Sequence, residues 1–341
     1  MAKVIFLSRL YYPHVGGVEK HLKKLSVILS KKHQITIITE QHDASLPLVE
    51  NYPEAKVYRI PVSNCSEKAK KWAIWSWIWR NRNLFSEADV VHIHDVFFWV
   101  LPVLPFKILH PKRYFITFHG YEGANPPHLK QVIWHKLGEL LTSGNICIGQ
   151  FYSKWYFTKA DVVSFGACDI PFKSVAKTNK AIFVGRLDHD TGIMEYLKAA
   201  KELKLKLDVY GEGPLLTQAR EFVKVTKTEV VFHGFDPNAA EYISKYKYAF
   251  ISRYLGILES LSSKTMVFAH YDSEIKYDYL SNSPFSDWIF IGKNSQEIAS
   301  SVLQYQKYPK RYQLSLDKGY NWAKEQTWAK LAQDYENLWQ K

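Results

Sequence analysis

Short β-branched or apolar runs alternate with longer stretches of helical periodicity along almost the whole chain, an order that produces parallel sheets with crossover helices. In the first half the runs fall at Lys3–Leu7, Gln34–Thr39, Lys56–Ile60, Val90–His94, Tyr114–Phe118 and Ile146–Ile148. Between the first two, Val18, Leu22, Leu25, Val27, Ile28 and Leu29 give Gly17–Lys31 a broad apolar helical face. The pattern then restarts. Strands are expected at Ala181–Val184, Leu207–Tyr210, Val230–His233 and Tyr248–Ser252, and helices over Met194–Lys204, Leu215–Val225, near Ala239–Ser244 and from Leu258. At 341 residues the chain exceeds what one core usually serves. The expected class is therefore α/β, two Rossmann-like doubly wound domains over 1–167 and 181–319. Residues 166–180 lack either period and carry Gly, Pro, Ser, Thr and Asn, which puts the linker at 168–180. The last stretch, 320–341, repeats Trp322, Trp328, Leu331, Tyr335, Leu338 and Trp339 at three to four residues, as a surface-packed helix does.

Composition narrows the classes. Hydrophobic residues make up 47% of the chain and charged ones 23%, which excludes wholesale disorder, and no repeat of solenoid length is present. Three scattered cysteines, Cys65, Cys147 and Cys168, form neither a disulfide framework nor a zinc site and fit a reducing cytosol. The opening MAKVIFLSRLYYP has an apolar run too short for a signal-peptide core or a membrane span, and reads as a first buried strand. Lys and Arg number 21 against 13 Asp and Glu over residues 1–170, and 24 against 20 over 171–341. That field attracts anions in general: nucleic acid, an anionic membrane surface or a phosphorylated substrate. No recognised nucleic-acid module is present, so no nucleic-acid partner is expected.

Six segments carry chemistry. In HVGGVEKH, Gly16 and Gly17 open a helix whose amides and dipole suit an anion, without the three-glycine dinucleotide fingerprint. FITFHGYEG runs a buried strand into His119, at the carboxyl end where open parallel sheets bind ligands. The nearby His92, His94 and Asp95 resemble metal ligands, but the two histidines alternate along a strand, which would turn one away, so no metal site is expected. FVGRLDHDTG places Arg186 beside a strand-end loop as a charged donor fork for phosphate, with Asp188 and Asp190 in turn and capping roles. VYGEGPL and VVFHGFD add Gly211, Gly213 and Phe235 at further strand ends, shaping one continuous rim. In SRYLGILESLSSKTMVFA, Gly256 precedes the expected helix start, so Gly256, Ile257 and Leu258 would offer amides to a diphosphate and Glu259 would accept from sugar-ring hydroxyls.

Taken in order, the glycine turn at 16–17, His119, the GRL at Gly185–Leu187, the GEGPL at Gly211–Leu215 and the HGF at His233–Phe235 resemble the retaining glycosyltransferases of the GT-B fold, in the large GT4 (glycosyl transferase group 1) family. The resemblance covers nearly the whole chain. It implies two domains facing across a cleft, acceptor binding mainly in the first and nucleotide-sugar binding mainly in the second, and a closing helix at 320–341 that crosses back onto the first. It implies no cofactor and no divalent metal, with a nucleoside diphosphate sugar as donor substrate. Arg186 and the amides near Gly256 would meet the departing diphosphate, His119 would orient the donor sugar, Glu259 would hold the ribose, and Gly16 and Gly17 would let acceptor and diphosphate approach. Two positions depart from the pattern. Thr191 stands ahead of Gly192 where the family places a lysine, and Leu255 stands where the first of two glutamates precedes Gly256, with residues deleted between it and Glu259. No carboxylate nucleophile is evident, which favours same-face attack with a donor phosphate oxygen taking the acceptor proton.

The acceptor clue is KAKKWAIWSWIWRNRNLF, residues 68–85: Trp72, Trp75, Trp77 and Trp79 bracketed by Lys70, Lys71, Arg80 and Arg82. Indoles and cations together suit a headgroup interface, and residues 97–109 add apolar surface. A glycan or lipid-linked acceptor and a cytoplasmic location, peripheral on the anionic inner membrane face, are expected. Three alternatives stay open: a nucleotide-sugar or glycan binding protein of the same fold that lost turnover, a GT-B epimerase, and charge-driven nucleic-acid binding.

Overall fold

β-branched runs become strands wherever both faces can be covered, and here almost every run is buried on both faces. The computed structural model describes residues 1–104, 113–121, 123, 125–170 and 176–341. The chain divides into two compact units, one of 1–164 with 328–341, the other of 165–327.

The first unit contains β1 (Lys3–Ser8), β2 (Gln34–Glu40), β3 (Val49–Asn51), β4 (Lys56–Ile60), β5 (Val90–His94), β6 (Arg113–Phe118), β7 (Gly144–Ile148) and β8 (Val162–Ser164). Their order is β3-β4-β2-β1-β5-β6-β7-β8. All neighbours are parallel except β3, which runs antiparallel to β4 with Glu50 opposite Val57. The order turns back between β1 and β5, the switch point at which open sheets leave a crevice. Helix α1 (Gly17–Leu29) buries Leu22, Leu25 and Leu29; α2 (Glu67–Arg80) buries Ile74 and Ile78; α3 (Leu129–Leu141) follows β6.

The second unit contains β9 (Thr178–Val184), β10 (Leu207–Tyr210), β11 (Val230–Gly234), β12 (Tyr246–Phe250), β13 (Met266–His270) and β14 (Phe290–Gly292), all parallel in the order β11-β10-β9-β12-β13-β14. Its switch point lies between β9 and β12. Ala181, Phe183, Tyr196, Leu197, Val209, Phe250 and Phe268 form the core between sheet and helices α4 (Ile193–Leu203) and α5 (Leu216–Thr226). Helices α6 (Tyr254–Ser262), α7 (Glu274–Ser281), α8 (Ser295–Lys307) and α9 (Gln313–Ala323) complete it.

Four expectations change. The terminal stretch 320–341 is two helices, not one: α9 packs Trp322 on Phe165, Phe285 and Trp288 in the second unit, and only α10 (Trp328–Gln340) belongs to the first. An uninterrupted aromatic period cannot reveal a break when both pieces are amphipathic. Around the expected linker, Phe165 packs on Tyr254, and the Cys168 amide donates to the Gln326 carbonyl at 3.0 Å, so the second unit begins at 165; residues 171–175 lie outside the described residues. The helix expected from Leu258 ends at Ser262, and the apolar run behind it is β13. Residues 97–104 add less apolar surface than expected, because Phe97, Trp99, Val100 and Val103 are buried and Phe98, Leu101 and Leu104 only partly exposed; 105–109 lie outside the described residues. The three cysteines are free thiols, and among the described residues no helix is long and apolar enough to cross a membrane.

Candidate active site

In the second unit the strands flanking the switch point each end on an arginine, Arg186 after β9 and Arg253 after β12. Between them lies Asp190. Arg186 Nη2 is 2.9 Å from Asp188 Oδ2 and 3.9 Å from Asp190 Oδ1, while Arg253 Nη2 pairs directly with Asp190 Oδ2. The Arg186 side chain is 64% exposed, leaving donor positions for an anion beyond its carboxylate partners. Asp188 caps the short turn 189–191, its carboxylate accepting from the His189 amide at 2.7 Å, which is the capping role expected for it. Thr191 faces inward. Its Oγ1 lies 2.8 Å from the carbonyls of both Arg186 and Asp188, so it stiffens this loop from within.

Two functional candidates escaped the sequence reading. Arg253 looks like a solvated arginine until β12 is seen to end at Phe250, beside the switch point; the rule that ligands gather there could have found it. Lys276 sits in the polar helix EIKYDYLS, yet it is fully buried and donates from Nζ to the Asp190 carbonyl at 2.9 Å. Burial, and then the charge of Arg253, pushes its ammonium well below the usual lysine range. No local signal could have marked it.

The helix after β12 starts earlier than expected, at Tyr254. Gly256 is its third residue, and the amides of Ile257 and Leu258 are inside the helical ladder, Ile257 N donating to Arg253 O at 2.9 Å. The expected trio of phosphate-facing amides is thus corrected to a pair: Tyr254 N donates to Tyr279 Oη at 2.8 Å, which leaves Leu255 and Gly256. Ile257 and Leu258 are core residues. Glu259 is in the second turn, not the first, and is buried.

The glycine rim is real but serves the loops themselves. A Cβ on Gly211, at φ +141°, would overlap the Gly185 carbonyl oxygen, and one on Gly213 would fall 2.5 Å from Leu187 O. The amides of Gly185, Leu187 and Gly211 donate to Tyr210 O, Glu212 O and Gly234 O at 3.0, 2.9 and 2.7 Å, carrying the sheet pairing past the strand ends. Phe235 beyond them is 52% exposed.

In the first unit His119 follows β6, its amide donating to Asp95 Oδ1 at 2.8 Å. Its Nε2 lies 2.8 Å from His94 Nδ1, and the ring of His21 stands at 90° to it with centroids 4.8 Å apart. His92 and His94 do not diverge: residues two apart on a strand share a face, and both rings pack on Tyr335 of α10. Burial holds His92, His94 and His119 well below the usual histidine range and brings His21 down to about 4, so all four are neutral at pH 7. Among the described residues no group of three or more His, Cys, Asp or Glu is placed to hold a metal ion. Gly16 caps α1, and a Cβ there would strike the carboxylate of the buried Glu19, which also meets His14 at 3.2 Å; a Cβ on Gly17 would meet nothing.

The tryptophan helix splits. Lys70 is bound to Glu40 at 2.6 Å, Trp75 Nε1 donates to Phe98 O at 2.7 Å, and Trp77 leans on Tyr58. Trp72 and Trp79 are 71% and 48% exposed; Lys71, Arg80 and Arg82 are exposed with them, and Arg82 stacks on Trp79.

The sequence model of Glycosyltransferase Family 4 matches residues 15–161. Sucrose-phosphate synthase from Thermosynechococcus elongatus superposes with a TM-score of 0.79 at 14% identity, over 100% of this chain and 98% of that one. The chain has the GT-B fold, and its residues 15–161 are similar to Glycosyltransferase Family 4. The α,α-trehalose-phosphate synthase (UDP-forming) of Burkholderia xenovorans, in complex with glucose-6-phosphate, gives 0.72 at 11% identity over 99% and 100% of the two chains. HepE of Anabaena in complex with UDP gives 0.68 at 10% identity over 98% of each. No curated protein sequence matches the chain. In the second unit the candidate residues Arg186 and Arg253 follow the two strands that flank the switch point.

Proposed function

We propose that the chain is a GT4-type glycosyltransferase that moves a hexose, with retention of anomeric configuration, from a uridine diphosphate sugar to a glycan or lipid-linked acceptor, without metal or resident cofactor. The observation that carries the reading is the meeting of Arg186 and Arg253 across Asp190 at the switch point of the second sheet. Breaking an anomeric C–O bond leaves a nucleoside diphosphate, so stabilising that charge is the main catalytic demand. Arg186, Arg253 and the amides of Leu255 and Gly256 are cations and donors suited to it. Arg253 supplies the second positive charge that Thr191 does not. Asp188 and Asp190 are committed to guanidinium groups, which speaks for charge neutralisation by arginine rather than by a metal. Glu259 receives the ribose and His119 the donor sugar. The acceptor oxygen forms its bond to the anomeric carbon on the face the diphosphate leaves, and its proton passes to the departing phosphate oxygen. UDP as the leaving group is suggested by the relatives named with it. The exposed Trp72 and Trp79 with Lys71, Arg80 and Arg82 favour an acceptor presented at an anionic membrane surface.

A second reading, a sugar-nucleotide binding protein without turnover, is favoured by Leu255 in place of a glutamate. A thermal-shift panel of nucleoside diphosphate sugars, followed by assay of UDP release with each hit, separates the two. The transferase reading expects a midpoint rise with one UDP-sugar and acceptor-dependent release of UDP; a rise without any release supports the binder, and no rise with any donor refutes both.

A further inference from the structure

The histidines at the strand ends of the first unit are tied to α10 by hydrogen bonds whose direction can be worked out. Trp339 Nε1, a donor only, lies 2.9 Å from His92 Nδ1. That nitrogen therefore accepts, and the single proton of neutral His92 is on Nε2, which is 2.7 Å from Thr117 Oγ1. Thr117 Oγ1 is 2.8 Å from Tyr335 Oη, and Tyr335 Oη is 3.0 Å from His21 Nε2. If Tyr335 donated to Thr117, the threonine proton would be left without an acceptor in a buried site. With Thr117 donating to Tyr335 and Tyr335 to His21, every proton in the chain is used, the arrangement burial favours. His21 then carries its own proton on Nδ1.

The same accounting applies to the neighbouring pair. His94 Nε2 is buried and has no hydrogen-bond partner among the described residues. A proton placed there would be an orphaned donor, costlier than an orphaned lone pair. His94 therefore donates from Nδ1 to His119 Nε2, across 2.8 Å, and neutral His119 keeps its proton on Nδ1. Tyr335 is stacked parallel to His94 at 15°, and His21 stands against His119, so the hydroxyl of one helix residue borders both branches.

We propose that Tyr335 and Trp339 are positioning residues which, with Thr117, fix the tautomers of His92 and His21, the rings that pack against His94 and His119, and so support the pair in which His119 presents Nδ1–H as a donor. The role in turnover rests on the reading of His119 as the residue that meets the donor sugar; the tautomers themselves do not. A ring that only fills space would serve as well without its hydroxyl or indole N–H, and that difference is measurable.

The test is a long-range ¹H–¹⁵N correlation spectrum of the full chain labelled with ¹⁵N-histidine at pH 7.5, with signals assigned by single His→Gln variants at 21, 92, 94 and 119. The expected result is Nε2–H on His92 and Nδ1–H on His21, His94 and His119. Tyr335→Phe should turn His21 into a tautomer mixture, and Trp339→Phe should do so at His92, each lowering kcat about tenfold with donor KM within twofold. Should Tyr335→Phe fail to fold, Trp339→Phe carries the test. Nε2–H on His21 in the unaltered chain, or unchanged tautomers in both folded variants, overturns the proposal. Tautomers as assigned together with no UDP release from any donor refutes the donor-sugar reading instead, and with it the role in turnover.

Discussion

Asp190→Asn removes one charge and almost no volume from the point where Arg186 and Arg253 meet. A unit charge about 4 Å from a guanidinium is worth roughly 4 kcal/mol at an effective dielectric of about 20, before desolvation is set against it. Measured hydrogen bonds to charged groups come out at about 1.5–3 kcal/mol. Both arginines are more than a third exposed, so solvent screening places the loss at the lower end, about 1–2 kcal/mol. For a unit of this size that lowers the melting midpoint by about 2–8 °C. The informative part is what a donor then does. With the carboxylate gone, two guanidinium groups face each other with only an amide between them, and a diphosphate can take over the lost compensation. The assay is differential scanning fluorimetry of both proteins with and without a saturating UDP-sugar. The variant should gain more from the donor than the unaltered chain does, recovering most of its deficit. An equal gain in both, or none in the variant, would refute the view that Arg186 and Arg253 address one anion.

Three further outcomes follow from the same geometry. Stability of the first unit should fall as pH drops from about 6.5 towards 4: His21 is held neutral by burial with its pKa near 4, so the unfolded chain takes up a proton that the folded chain refuses, a share of up to about 3 kcal/mol at the low end; urea titrations at pH 7.5 and 5 check this, and His21→Gln should reduce the slope, with His92, His94 and His119 carrying the remainder. Gly211→Ala should cost about 3 kcal/mol or more, since its Cβ would overlap the Gly185 carbonyl at a left-handed φ; denaturation midpoints would show it, and a loss under about 1 kcal/mol would contradict the close approach. Replacing Trp72 and Trp79 by Ala, with Arg80 and Arg82 by Gln, should weaken sedimentation with vesicles rich in phosphatidylglycerol at least tenfold while leaving donor binding unchanged.

Much of this fold is legible because buried parallel strands must be β-branched and must alternate with helices: Lys56–Ile60, Val90–His94 and Leu207–Tyr210 are bounded in the structure as their composition suggests. Val49–Asn51 is not, since two exposed residues around a half-buried Glu50 become a strand only through pairing with β4. Met266–His270 follows a helix of the same apolar character after a three-residue turn, and no local signal separates them. At the site, Arg186 was readable because a motif frames it. Arg253 and Lys276 were not, because their meaning comes from which strand lies beside β9 and from what α7 buries. Gly211 and Gly213 mark a close approach in the sequence, but a glycine does not say what comes close, and here it is the neighbouring loop.

The most direct measurement is the dissociation constant of the best UDP-sugar, by calorimetry, for the unaltered chain and for the double variant Arg186→Ala, Glu259→Ala with its fold verified. Loss of one charge-assisted contact to the diphosphate and one to the ribose, each about 1.5–3 kcal/mol, predicts weakening of at least a hundredfold. Affinity retained within threefold would mean that the second unit binds its donor elsewhere, or not at all.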